Sequence, residues 1–95
     1  MKVKLLPLAR RELEDAADWY DEQAIGLGQE FLDEVDGALA RIVSYPESCP
    51  EIEPGLRRCL LARFPYCLIY ETAGETLVVA VVAHLRREPR YWADR

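Results

Sequence analysis

Between residues 8 and 23, Ala9, Leu13, Ala16, Ala17 and Tyr20 recur at three- and four-residue steps, while Glu14, Asp18 and Glu22 form an acidic row on another side. That spacing predicts an amphipathic helix. Ile25-Gly26-Leu27-Gly28 breaks it, and a second helix is expected over residues 28–44, with Phe31, Leu32, Val35, Leu39, Ile42 and Val43 as its apolar stripe. A short break between two such helices predicts an antiparallel helical hairpin. Ahead of the hairpin, the alternation of Lys2, Val3, Lys4 and Leu5 predicts a short edge strand over residues 2–6, ended by Pro7. Residues 45–56 hold three prolines and a glycine and read as a loop.

Three strands are then expected, over residues 57–64, 66–72 and 76–85, with turns near Phe64-Pro65 and across Ala73-Gly74-Glu75. The turns are short enough for antiparallel hairpins. The third strand is apolar on both faces, which predicts a central strand covered on both sides. Residues 88–95 form a tail or a single helical turn. The resulting order is β-α-α-β-β-β, an α+β fold in which the helical hairpin packs on a small, mainly antiparallel sheet.

Composition narrows this further. Ninety-five residues, 51% of them hydrophobic, make one domain with one modest core, spanning residues 1–95. Stability on the order of 5–10 kcal/mol is expected, and a partner that binds only the folded state would add to it. The N-terminus is too short and too soon interrupted by Pro7 for a signal peptide, and no apolar run approaches the ~20 residues of a membrane span. A cytoplasmic chain that makes no membrane contact is therefore expected. Cys49, Cys59 and Cys67 have neither CxxC nor zinc-site spacing and read as reduced thiols, a Cys59–Cys67 bridge being the less favoured alternative. No glycine-rich phosphate loop, nucleophile elbow or metal motif is present, so no cofactor or metal is expected.

The net charge of −5 is unevenly divided. Residues 1–55 carry five Lys or Arg against thirteen Asp or Glu, whereas residues 56–95 carry seven Arg against four acids. This predicts an ordinary solvated acidic face and a functional basic one.

The candidate chemistry is concentrated in the basic half. His84, the only histidine, falls at the end of the last strand with Arg86 on the same face. A role as a base competes with a role as a hydrogen-bonded pin for the strand end. The pin is favoured, because no serine, cysteine or paired carboxylate lies near it in sequence. Arg58 and Arg63 on one strand and Arg86, Arg87 and Arg90 after another could converge on a phosphodiester or an acidic peptide. Tyr91 and Trp92 could stack on bases, anchor a partner or fold back over the core; Trp92 is expected to cap the core and Tyr91 to be the ring more open to function. Trp19 and Tyr20 read as core or groove residues.

Several segments together resemble the RelE/ParE superfamily of bacterial type II toxins, most closely its ParE-like, plasmid-stabilisation branch. They are Leu8-Ala-Arg-Arg-Glu-Leu13, Trp19-Tyr20, the second helix from Phe31 to Tyr45-Pro46, and Gly55-Leu-Arg57-Arg58. Phe64-Pro-Tyr66-Cys-Leu-Ile-Tyr70 and Val79-Ala-Val-Val-Ala-His84-Leu-Arg86-Arg87-Glu-Pro89 complete the set, and each alone is a weak signal. The resemblance implies a toxin blocked by a cognate antitoxin protein, which carries it to operator DNA so that the toxin touches DNA only indirectly. It implies one of two cellular targets. ParE-like members inhibit DNA gyrase and have no assigned catalytic residues. RelE-like members are metal-independent endonucleases that cut mRNA on the ribosome, for which Arg58, Arg63, Arg87 and Tyr91 would be the catalytic candidates. Here the only lysines are Lys2 and Lys4 and the total charge is negative, whereas binding to ribosomal RNA is driven by phosphate neutralisation. Gyrase inhibition is therefore the leading expectation, followed by the ribonuclease and by an inactive homologue that serves only as an antitoxin-binding co-repressor. Trp19, Tyr20, His84, Arg86, Arg87, Arg90, Tyr91 and Trp92 are the expected partner-binding residues.

Overall fold

A computed structural model describes residues 1–94. The order is β1 (Lys2–Leu5), α1 (Pro7–Gln23), α2 (Leu27–Ser44), β2 (Glu51–Glu53), β3 (Leu56–Leu60), β4 (Tyr66–Ala73) and β5 (Thr76–His84). The strands form one mixed sheet in the order β1-β5-β4-β3-β2, with β1 parallel to β5 and the other pairs antiparallel. Both helices lie on one face. The expected α+β architecture is present, with one addition.

That addition is β2, inside the stretch expected to be a loop. The prolines of this stretch do not prevent pairing, because Pro50 and Pro54 flank the three paired residues rather than interrupt them. Gly55, at φ 79°, turns the chain into β3, and its N–H donates to the Glu51 carboxylate at 2.7 Å. At the other boundary β3 stops at Leu60, four residues short of the expected end, so Arg63 lies in the connection rather than on a strand.

Pro7 opens α1, where its missing N–H costs nothing. In α2, Glu30 in the first turn and Arg41 in the last both suit the helix dipole. The hairpin between the helices is tight. The Asp21 carboxylate accepts the Gly28 N–H at 2.8 Å, satisfying a first-turn donor that has no partner within α2. A Cβ on Gly28 would lie 2.4 Å from the Ala17 carbonyl oxygen, so only glycine allows this approach of α2 to α1.

The helix-side core joins Ala9, Ala16, Ala17 and Tyr20 of α1 and Phe31, Val35, Ala38 and Ile42 of α2 to Leu68, Tyr70, Leu77, Val79 and Val82 of the sheet. A second, smaller core lies on the opposite face: Cys67, Ile69, Val81 and Ala83, covered by Ile52, Leu56, Tyr91 and Trp92. Strand β5 is thus buried from both sides, as its unbroken apolar run predicts. Its facing changes midway. Tyr70 pairs with Val79 and Ile69 with Val81, leaving Ala80 as an extra residue. This bulge moves the helix-facing set from the odd positions Leu77 and Val79 to the even position Val82.

The cysteines are free thiols. Cys59 faces the helices and Cys67 the opposite core, so the sheet itself separates them and rules out the bridge. The Tyr70 hydroxyl donates to the Pro46 carbonyl at 2.9 Å, tying the α2–β2 connection to the core.

Two outcomes are expected. Gly28→Ala lowers stability by about 1–3 kcal/mol, because the hairpin must open to admit the methyl group. Gly37→Ala, whose Cβ meets only the Arg41 guanidinium at 3.7 Å, raises stability, by about 0.5–1 kcal/mol. Urea unfolding of the two variants reads the opposite signs. Separately, burial, with the neighbouring Cys49 thiol, pushes the Cys59 thiol from 9.0 up to about 11. An unfolded chain then ionises first. This contribution to stability is complete below pH 9 and is lost as the pH rises through about 11. The urea midpoint of Cys59→Ala should fall less steeply over that range than that of the unaltered chain.

Candidate functional site

Strand β1 ends at Leu5, and the Leu6 N–H makes its last bond to β5, at the Val79 carbonyl (3.0 Å). From there the chain turns into α1, and β5 runs on with β4 on one side and no strand on the other. Glu12 of α1 supplies the replacement acceptor: its Oε1 takes the Val82 N–H at 3.0 Å. Its Oε2 takes the Tyr91 hydroxyl from the C-terminal tail. One carboxylate therefore joins α1, the central strand and the tail. Nothing in the helical pattern marks Glu12, which stands apart from the acidic row, and the sequence reading missed it.

Two hollows flank the end of β5. The first, a groove of about 680 Å³, runs between α1 and the strand end. It is lined by a series of edge-to-face rings: Trp19 on Tyr20 at 5.1 Å, Tyr20 on Tyr66 at 6.1 Å, and Tyr66 on His84 at 5.1 Å. Tyr20 is buried, whereas Trp19 is 53% exposed on the rim. Burial first and Glu12 second raise the Tyr66 phenol, while burial first and Tyr66 second raise that of Tyr20. Both remain neutral hydroxyls near pH 7 and offer hydrogen bonds rather than a base. His84 Nδ1 accepts the Arg86 backbone N–H at 3.0 Å, which places the proton of a neutral ring on Nε2. The bond ties the ring to the turn that follows β5.

The second hollow, a cleft of about 280 Å³, opens on the face away from the helices. Buried Cys67, Ile69 and Ala83 form its floor, and Arg58, Arg87 and Arg90 stand around it. The Cys67 thiol is raised by burial, and the charge of Arg58 partly opposes that rise. The expected convergence of arginines is thus partly met. Arg58, Arg87 and Arg90 share the cleft, but Arg63 does not. Because β3 ends early, Arg63 turns to the helix side, where its guanidinium meets Glu30 at 2.9 Å and its N–H meets Glu34 at 2.9 Å. Arg86 is exposed and lines neither hollow.

The tail departs from expectation too. Trp92 covers the core as expected, but Tyr91 does so too: both are half-buried against the outer core. The Arg87 guanidinium lies over the Tyr91 ring at 3.9 Å from its centroid. Arg90 pairs with Glu53 of β2 at 2.6 Å and lies 5.6 Å from the Trp92 ring. The tail is thus a strap across the outer face, anchored to α1 by Tyr91 and to β2 by Arg90. Among the described residues, no three His, Cys, Asp or Glu side chains are grouped to hold a metal ion. Two hydroxyl-bearing rings, an exposed indole and, among the described residues, two arginines without a carboxylate partner thus gather at this end of the molecule.

A helical hairpin on one face of a small mixed sheet, with aromatic and cationic hollows at the end of β5, defines a compact class of α+β domains. Residues 3–89 match the family model described as the ParE toxin of type II toxin–antitoxin systems, parDE, and the chain belongs to that family. Its fold is similar to a solved structure described as the chromosomal ParDE TA system from P. aeruginosa. That likeness has a TM-score of 0.64 at 18% identity and covers 88% of this chain and 95% of the other. A comparison with curated proteins gives no match. No helix among the described residues is long and apolar enough to cross a membrane.

Tyr91→Phe should cost about 1.5 kcal/mol, and Glu12→Ala about 2–3 kcal/mol, because the second change also strands the Val82 N–H. Thermal unfolding reads both values. Amide exchange at Val82 should accelerate in Glu12→Ala and stay slow in Tyr91→Phe.

Proposed function

We propose that this chain is the growth-inhibiting toxin of a cytoplasmic toxin–antitoxin pair, acting on DNA gyrase without chemistry of its own and neutralised by a cognate antitoxin. Family membership supports the toxin assignment, and the likeness to a ParDE system supports an antitoxin partner. The observation that carries the non-enzymatic reading is that two of the four ribonuclease candidates are already engaged by carboxylates. Arg63 is on the helix side in a pair with Glu30, and the Tyr91 hydroxyl is bound by Glu12. Arg58, Arg87 and Tyr91 line the same cleft, but with Arg63 absent and the Tyr91 hydroxyl engaged, only two cations without a carboxylate are left there among the described residues. Metal-free RNA cleavage needs groups that handle the 2′-hydroxyl and the phosphate together. The net charge of −5 also disfavours insertion into ribosomal RNA. Operator DNA is reached only through the antitoxin, with this chain as co-repressor.

Inducing the chain alone in bacteria while following DNA and protein synthesis separately tests this. DNA synthesis should stop first, with a DNA-damage response, and co-expression of the antitoxin should restore growth. Early translation arrest with cleaved mRNA would overturn the gyrase reading in favour of the nuclease. Harmless expression would leave only the co-repressor role.

A further inference from the structure

The arginines of the basic half differ in what they meet. Arg57, Arg63 and Arg90 each pair with a carboxylate, from Glu51, Glu30 and Glu53. Among the described residues, Arg58 and Arg87 have none, yet both line the outer cleft. Glu88 rims the same cleft and pairs with neither. Arg58 stands on β3 opposite Ile69, and its outward neighbour at period two is Leu60, which is 54% exposed. Leu85, 48% exposed, lines the cleft. Two cations without counter-charges thus stand over a buried apolar floor beside two bare leucines.

We propose that this cleft is a carboxylate-binding site that takes a glutamate or aspartate side chain from an apolar-flanked segment of a partner polypeptide. The inference deepens the toxin–antitoxin reading and rests on it for the existence of that partner. An ion pair over a buried apolar floor is screened less than one in open water. The guanidinium fork matches a carboxylate in two places. Leu60 and Leu85 supply apolar contacts for the residues on either side of the acid. A nucleic-acid strand would meet the same two cations. It would also bring a chain of phosphates toward a molecule of net charge −5, which a single side-chain carboxylate does not. A cleft of about 280 Å³ suits one side chain with its neighbours.

The test uses the isotope-labelled full chain and three probes: N-acetyl-Leu-Glu-Leu-amide, its glutamine counterpart, and the dinucleotide uridylyl-uridine. Titration is followed at the Arg58 and Arg87 side-chain Nε–H resonances. Both should shift with the glutamate peptide, and the glutamine peptide should bind about tenfold more weakly. Arg58→Gln should abolish the response without moving the melting temperature. Equal binding of the two peptides, no shift with either, or tighter binding of the dinucleotide would each overturn the proposal, the last in favour of a phosphodiester site. Peptide binding by a chain that is harmless when expressed would leave this site standing and remove the toxin reading. Growth arrest relieved by the antitoxin, but unaffected when Arg58→Gln meets that antitoxin and without any peptide shift, would do the reverse.

Discussion

A central strand buried on both faces needs two cores and two lateral partners, and β5 obtains them from different parts of a short chain. The helical hairpin covers one face. Among the described residues no second helical layer covers the other, and Tyr91 and Trp92 of the tail fold back over it as a strap. Laterally, β4 accompanies β5 throughout, while β1 leaves halfway to begin α1. The exposed backbone that results is the reason for Glu12, whose carboxylate does for Val82 what a strand would have done. Because the same group holds Tyr91, closing the sheet edge and closing the outer face are one interaction.

The opposite charge of the two halves acquires a different meaning in this light. It predicted a solvated acidic face and a functional basic one. In the folded chain many acids of the first half instead meet groups of the second: Glu12 with Val82 and Tyr91, Glu30 and Glu34 with Arg63, Glu51 with Arg57, Glu53 with Arg90. Unlike the part-buried Glu12 contacts, the exposed arginine pairs are each worth only about 0–1 kcal/mol, so their effect is to orient rather than to stabilise. They decide which guanidinium groups are taken and which remain over the outer cleft.

The helices, the last two strands and the depth of β5 were legible because each rests on local periodicity over many residues. The aromatic pair Trp19-Tyr20 and the strand-end position of His84 were legible for the same reason. What sequence could not supply depends on pairing across the fold. Strand β2 exists because β3 is beside it, and three residues between prolines carry no period of their own. Arg63 was misplaced because the end of β3 is set by the turn into β4, not by the run of residues before it. Tyr91 was read as open because its partner lies seventy-nine positions away on a helix face that otherwise looks like ordinary solvated surface.

The two lysines of the chain both fall on β1, an outermost strand of the sheet. Lysine on an edge strand discourages another strand from pairing there, since its charge would be trapped against the incoming chain. The opposite edge, β2, is only three residues long and is followed at once by Pro54, which has no N–H to offer. Both margins of the sheet are thus guarded against end-on growth into aggregates. A small domain can in this way keep its side-chain faces open without polymerising through its backbone.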